Sequence, residues 1–173
     1  MKKSVKPRQL SLQLTRTGGT KQHEYHYHFR VVAGKSTLSH PDIHDAIVAA
    51  RLEEGSRVGQ MNLYEYPDDD GRPDGPTHLW FHTFYPWNHG NRWKKTLPLS
   101  QKSFGAQTLL GLIRELKRKH GSAKIIRFAG RSDEGKAFWG RLRVNTKEGE
   151  TLGSLEAKVR AYLSSRKSRY SGK

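Results

Sequence analysis

The chain has 173 residues, about the length of one domain, and it contains no cysteine. The missing cysteines exclude disulfides, thiolate zinc sites and a cysteine nucleophile. Lys and Arg number 32 against 16 Asp and Glu, for a formal net charge of +16. This excess predicts a polyanionic partner, DNA or RNA before any other.

Membrane and export signals are absent from the sequence. No run approaches the roughly 20 apolar residues of a membrane span. The basic start, Met1 to Arg8, leads into no apolar stretch, so we expect neither a signal peptide nor an anchor. These observations predict a cytoplasmic protein without a membrane partner.

Composition divides the chain into three segments. Residues 1–22 form a basic, flexible N-terminal segment, in which the alternation from Leu10 to Leu14 fits either an edge strand or continued flexibility. Residues 23–163 form a single domain. Residues 164–173 are a basic C-terminal tail that we expect to be disordered when nothing is bound.

The first part of the domain is predicted to be rich in strands. Residues 25–32 alternate aromatic and polar side chains at the period of a half-buried strand. Residues 39–43 carry the turn and cap residues that begin a short helix or a loop. Two strands, 47–52 and 57–64, are predicted to form a hairpin.

The middle of the domain has an aromatic strand between two loops. Residues 67–76 are predicted to be an exposed loop, because Pro, Gly and Asp dominate them. Residues 78–85 are aromatic on both faces and predict a central strand. A basic, aromatic loop over 86–100 follows, and the apolar spacing of 104–119 predicts the longest helix.

The last part of the domain is predicted to contain one strand and two helices. Residues 123–129 predict the strand, and 133–141 predict a short helix that buries its aromatic side. Residues 158–162 predict the final helix. The elements together indicate a mixed α/β fold.

Two short stretches carry a family resemblance. Lys102-Ser103-Phe104-Gly105-Ala106-Gln107 precedes the main apolar stripe of the long helix, and Ser132-Asp133-Glu134-Gly135-Lys136-Ala137-Phe138-Trp139 contains the start of the shorter one. With the predicted hairpin upstream, they resemble the GNAT superfamily of N-acetyltransferases over roughly residues 46–142. The resemblance implies a mostly antiparallel sheet flanked by helices and an acyl-CoA-dependent N-acyltransferase.

The resemblance also implies a coenzyme site. Amides at the start of the long helix and its positive dipole end would hold the pyrophosphate of acetyl-CoA or another acyl-CoA. The implied coenzyme-binding residues are Lys102, Phe104, Gly105, Ala106, Gln107, Thr108 and Ser132. The sequence departs from the family at Lys102, where the family has Arg or Gln, at Gln107, where it has a small residue, and at Trp139, where many members have a tyrosine that protonates the leaving thiolate.

Candidate catalytic groups lie on the strand that precedes this helix. Acyl transfer to an amine needs a base close to the attacking nitrogen. His82 and Tyr85 are the first candidates and His78 is the third, because His78 and His82 share a strand phase with Trp80 between them. The competing interpretation is that these are polar residues of an exposed strand face.

The basic loop after that strand predicts a nucleic-acid contact. Its aromatic side chains can stack on bases and its cations can bind phosphates. The residues are Trp87, Arg92, Trp93, Lys94 and Lys95. The sequence therefore leaves two functions open: an acyltransferase acting on or near nucleic acid or nucleoprotein, or a non-catalytic nucleic-acid-binding protein on the same kind of fold.

A metal site is not predicted. His26 and His28 lie on one side of a strand, but no third ligand is specified nearby.

Overall fold

The computed structural model describes residues 8–18, 24–49, 51–67, 77–85, 101–129 and 133–170. They form a mixed α/β fold with one six-stranded sheet in the order β1-β2-β3-β4-β5-β6. The strands are β1 (Leu10–Gly18), β2 (Glu24–Ala33), β3 (Arg57–Pro67), β4 (Thr77–Tyr85), β5 (Ile125–Phe128) and β6 (Glu150–Thr151). The helices are α1 (Pro41–Ala49), α2 (Gln101–His120), α3 (Asp133–Arg141) and α4 (Leu152–Tyr170).

The strand directions give the sheet one parallel pair. β4 and β5 run parallel, and every other neighbouring pair is antiparallel. A parallel pair needs a crossover connection, and α2 lies in the connection between β4 and β5. The observed order confirms that residues 78–85 belong to a strand in the interior of the sheet.

One hydrophobic core lies between the helices and one face of the sheet. Alternate residues of the strands, such as Phe29, Met61 and Leu79, are fully buried and belong to the same cluster as Ile47 of α1 and Leu109 of α2. Leu155 and Val159 of α4, which packs against α2, belong to the same cluster. The helices thus define an inner face of the sheet, and the alternate side chains of the strands point to the opposite, outer face.

The predicted hairpin of 47–52 with 57–64 is wrong. Residues 41–49 form α1, because Ile43, Ala46 and Ile47 recur at helical spacing and all three are buried. Pro41 stands at the first helical position, where its missing N–H costs nothing. β3 therefore pairs with β2 and β4 rather than with a strand made from this segment.

Residues 10–18 and 164–170 are more ordered than the composition predicts. Residues 10–18 form an edge strand, the first of the two alternatives, and Leu12 is fully buried in the core. α4 continues to Tyr170, so most of the predicted disordered tail is helical in the structure. The final helix is also much longer than the predicted 158–162, because Leu152, Leu155, Val159 and Leu163 bury one stripe of it.

Candidate functional site at the carboxyl edge of the parallel strands

The carboxyl ends of β4 and β5 form an open edge. The two strands pair from Leu79 opposite Ile126 to Phe81 opposite Phe128, and the amide of Ala129 donates to the carbonyl of Phe81 at 2.9 Å. β5 then ends, while β4 continues to Tyr85. Beyond Phe81, no strand of the described residues pairs with β4 on the β5 side, so a length of strand edge is left for another extended chain.

Two helices begin at this same edge. Because α2 crosses from the end of β4 back to the start of β5, its N-terminus lies at the carboxyl ends of both strands. α3 follows β5, so its N-terminus lies there too. The positive ends of two helix dipoles therefore face the place where β4 and β5 separate.

The two stretches that carry the family resemblance are in contact here. A Cβ built on Gly105 of α2 would lie 3.3 Å from Cε2 of Phe138 of α3. Gly105 therefore allows α2 and α3 to approach closely at this edge. The Phe138 and Trp139 rings lie 5.0 Å apart, so this contact continues into the core.

Trp139 packs against the inner face of the sheet at the carboxyl edge of β4 and β5. It is 6% exposed, and its ring centroid lies 4.7 Å from that of Phe128 and 5.9 Å from that of Phe81. The indole therefore packs directly over the parallel strand pair. An indole N–H is a donor that does not titrate at physiological pH, so Trp139 supplies packing and not a proton.

His82 lies in the part of β4 beyond Phe81, at a bulge in the pairing of β4 with β3. β3 and β4 pair at Asn62 with Thr83 and then at Leu63 with Phe81, so His82 is the extra residue of β4. Its side chain is exposed, and its ring lies 4.3 Å from the ring of Tyr64. Desolvation by this packing lowers the pKa of His82, which favours the neutral imidazole that a base requires.

His78 and Tyr85 lie on either side of His82 along β4. His78 is 3% exposed, and its Nδ1 accepts a hydrogen bond from Nε of Arg127 at 3.2 Å. It lies near the start of β4, whereas Tyr85 is the last residue of the strand and pairs with Gln60. The catalytic role of His78 stays a prediction from the sequence; its side chain is buried near the start of β4.

The helix begins three residues earlier than the sequence predicts. Because α2 starts at Gln101, the amides that its first turn leaves unbonded are those of Gln101 to Phe104. The amides of Gly105, Ala106, Gln107 and Thr108 lie deeper in the helix and bond within it, so Phe104 alone of the predicted amide donors lies in the first turn. Gln107 points away towards α1, where its Nε2 lies 3.1 Å from Nε2 of His40.

The outer face of the sheet was predicted as a site only in part, through His78 and His82 of β4. By register it also includes one acidic position, Glu24 of β2, which pairs with Tyr64. The side chains that β2 to β5 place there are otherwise polar or aromatic. They are His26, His28, Arg30, Gln60, Asn62, Tyr64, His78, Trp80, His82 and Arg127. The alternation of residues in β2 and β4 indicates that each strand has a polar side, but only the register shows that these polar sides lie on the same face of the sheet.

Several predicted residues lie outside the described part of the chain. They are Trp87, Arg92, Trp93, Lys94, Lys95 and Ser132. For Lys102 the structure gives only its place in the first turn of α2. Their roles in binding coenzyme or nucleic acid stay predictions from the sequence.

No protein-family profile matches the chain, and neither the curated proteins nor the solved structures contain a significant match. No helix of the described residues is long and apolar enough to cross a membrane. Within the same residues, no group of three or more His, Asp or Glu side chains is placed to hold a metal ion.

Proposed function

We propose that this protein is an acyl-CoA-dependent N-acyltransferase of the GNAT type. The single observation that supports the proposal most is the contact of Gly105 with Phe138 at the carboxyl edge of β4 and β5. The two stretches are separate in the sequence, and the fold joins them at an edge where two helix N-termini meet a length of β4 that no described strand pairs with on the β5 side.

The edge has the chemistry that an acyl-CoA requires. The first turn of α2 offers unbonded amides and a positive dipole end to a pyrophosphate, and Lys102 adds a cation in that turn. The open edge of β4 offers backbone donors and acceptors to the amide groups of an extended pantetheine chain. When bound, acyl-CoA supplies an activated acyl thioester.

His82 is the residue best placed to act as the base. An attacking amine must lose a proton, and a neutral imidazole can accept it directly or through one water. His82 is exposed at the bulge beside the open edge, and its lowered pKa keeps it neutral at physiological pH. Without a tyrosine at position 139, protonation of the leaving thiolate falls to solvent or to the protonated His82.

Coenzyme binding by charge-matched variants tests the proposal. We expect saturable one-to-one binding of acetyl-CoA by calorimetry at low and at high salt. Lys102→Gln should weaken it about tenfold, because it removes a charged hydrogen-bond donor from the phosphate site. Arg118→Gln removes the same charge from the exposed last turn of α2 and should leave affinity within about twofold.

Two results would overturn the proposal. One is no coenzyme binding by the wild-type protein. The other is equal weakening by Lys102→Gln and Arg118→Gln, which would indicate a general attraction of anions to a basic protein rather than a site at the N-terminus of α2.

A further inference from the structure

The outer face carries a continuous row of rings across three strands. His26 of β2 lies edge-on to Tyr64 of β3 at 5.9 Å, and Tyr64 lies 4.3 Å from His82 of β4. Trp80 is the register partner of Tyr64 on β4, so a second large ring stands directly beside the row. Such a surface offers several π faces at the spacing of neighbouring strands.

Cations lie at both sides of this row. Arg127 of β5 lies over the ring of Trp80, with its guanidinium carbon 5.7 Å from the ring centroid. On the β2 side Arg30 is exposed, and its register partner on β3 is Arg57. Glu24 of β2 is the register partner of Tyr64 and adds one acidic position, but the three arginines outnumber it, so the face has the charge to attract a polyanion.

Two buried nitrogen atoms of the face have no hydrogen-bond partner among the described residues. They are Nε1 of Trp80 and Nδ1 of His28. Buried polar atoms normally have a partner, so these two are atoms that a bound molecule can satisfy after a small movement of the rings. Desolvation, with Arg57 and Arg30 nearby, lowers the pKa of His28, which leaves its ring neutral and able to accept as well as donate.

We infer that the outer face of the sheet binds single-stranded nucleic acid. Bases stack on Tyr64 and Trp80, and phosphates lie against Arg30 and Arg57. Single strands fit this face better than a duplex, because stacking needs bases whose faces are free. The arginines on both sides of the rings can pair with the phosphates of a nucleic-acid backbone that crosses the β-strands.

The inference deepens the proposed function and rests on it in one respect. His82 belongs both to the row of rings and to the open edge of β4. A nucleic acid bound on the outer face would therefore present the amine of a nucleobase to the transfer site. Binding itself does not depend on acyl transfer and is measured separately.

Anisotropy titrations of the full chain with labelled oligonucleotides test the inference. We expect an oligothymidine of about 12 nucleotides to bind more tightly than the matched duplex. Tyr64→Leu keeps apolar volume but removes the stacking ring, and should weaken single-strand binding about fivefold or more. Arg30→Gln should lower the slope of log affinity against log salt by about 0.7, whereas Arg118→Gln, on the helical side, should lower it by much less.

The same variants separate the two proposals. Arg30→Gln should leave acetyl-CoA binding unchanged, and Lys102→Gln should leave oligonucleotide binding unchanged. Single-strand binding without coenzyme binding would overturn the acyltransferase and keep this surface. Equal binding by wild type, Tyr64→Leu and Arg30→Gln would overturn the surface, as would preference for the duplex or for vesicles of anionic lipid. A circular dichroism spectrum for each variant confirms that it is folded.

Discussion

Gly111 of α2 gives the sharpest prediction for the packing of this fold. A Cβ at Gly111 would lie 2.2 Å from Cδ2 of Leu38 and 2.8 Å from the backbone carbonyl of Thr37. Leu38 is 1% exposed and forms an isolated bridge with Leu12 of β1, so neither partner can move aside easily. Gly111→Ala should therefore overpack the core although it adds a better helix former.

The size of the effect follows from two opposing contributions. Alanine in a helix interior gains about 1 kcal/mol over glycine. Overpacking a well-filled core costs about 1–3 kcal/mol, and a backbone contact as short as that with Thr37 belongs at the upper end. The expected result is a net loss of about 1–2 kcal/mol in the free energy of unfolding.

A matched control exists in α3. A Cβ on Gly140 would meet no atom within 4 Å, so Gly140→Ala makes the same chemical change without the clash. It should gain about 0.5 kcal/mol. Urea unfolding followed by far-ultraviolet circular dichroism measures both variants against the wild type. If Gly111→Ala is as stable as Gly140→Ala, the segment around Leu38 does not pack on α2 as described.

Two further predictions concern the buried carboxylate of Glu156 and the packing of Trp139. The hydrogen bond from Lys117 lowers the pKa of Glu156 below its ordinary value, so the stabilisation is present above that value and is lost as the pH falls through the lowered pKa. Urea titrations between about pH 7 and pH 3 should show a smaller acid loss of stability for Glu156→Gln than for wild type, and equal losses would contradict the pairing. Trp139→Ala removes the indole that packs on Phe81 and Phe128 and should cost about 3–5 kcal/mol in the same assay at neutral pH. A loss below about 1 kcal/mol would show that Trp139 is not packed against Phe81 and Phe128 as described.

Local sequence signals predicted the elements with strong periodicity. The helix over 133–141 and the interior strand near 78–85 were predicted almost to the residue, because caps, aromatic spacing and alternation all agree there. The segment 47–52 was mispredicted because a short apolar run fits a strand or a helix equally well. Burial of Ile43 and Ala46 against α2 decides for the helix, and that contact is tertiary.

The candidate site was predictable only in part. Gly105 and Phe138 could be singled out from local spacing, but their contact depends on the crossover between β4 and β5. His78 was grouped with His82 because both share a strand phase, and sequence could not show that β4 extends past β5 at one end and is covered at the other. The outer face needed the register of four strands before its side chains could be seen as one surface.

The most direct test of the proposed acyl-CoA site is a nuclear magnetic resonance titration of isotope-labelled protein with acetyl-CoA. We expect amide shifts to concentrate on Gln101 to Phe104 and on His82 to Tyr85, with smaller shifts at Phe138. Absence of shifts, or shifts centred on the C-terminal half of α2 and on α4, would contradict a coenzyme site at the carboxyl edge of β4 and β5.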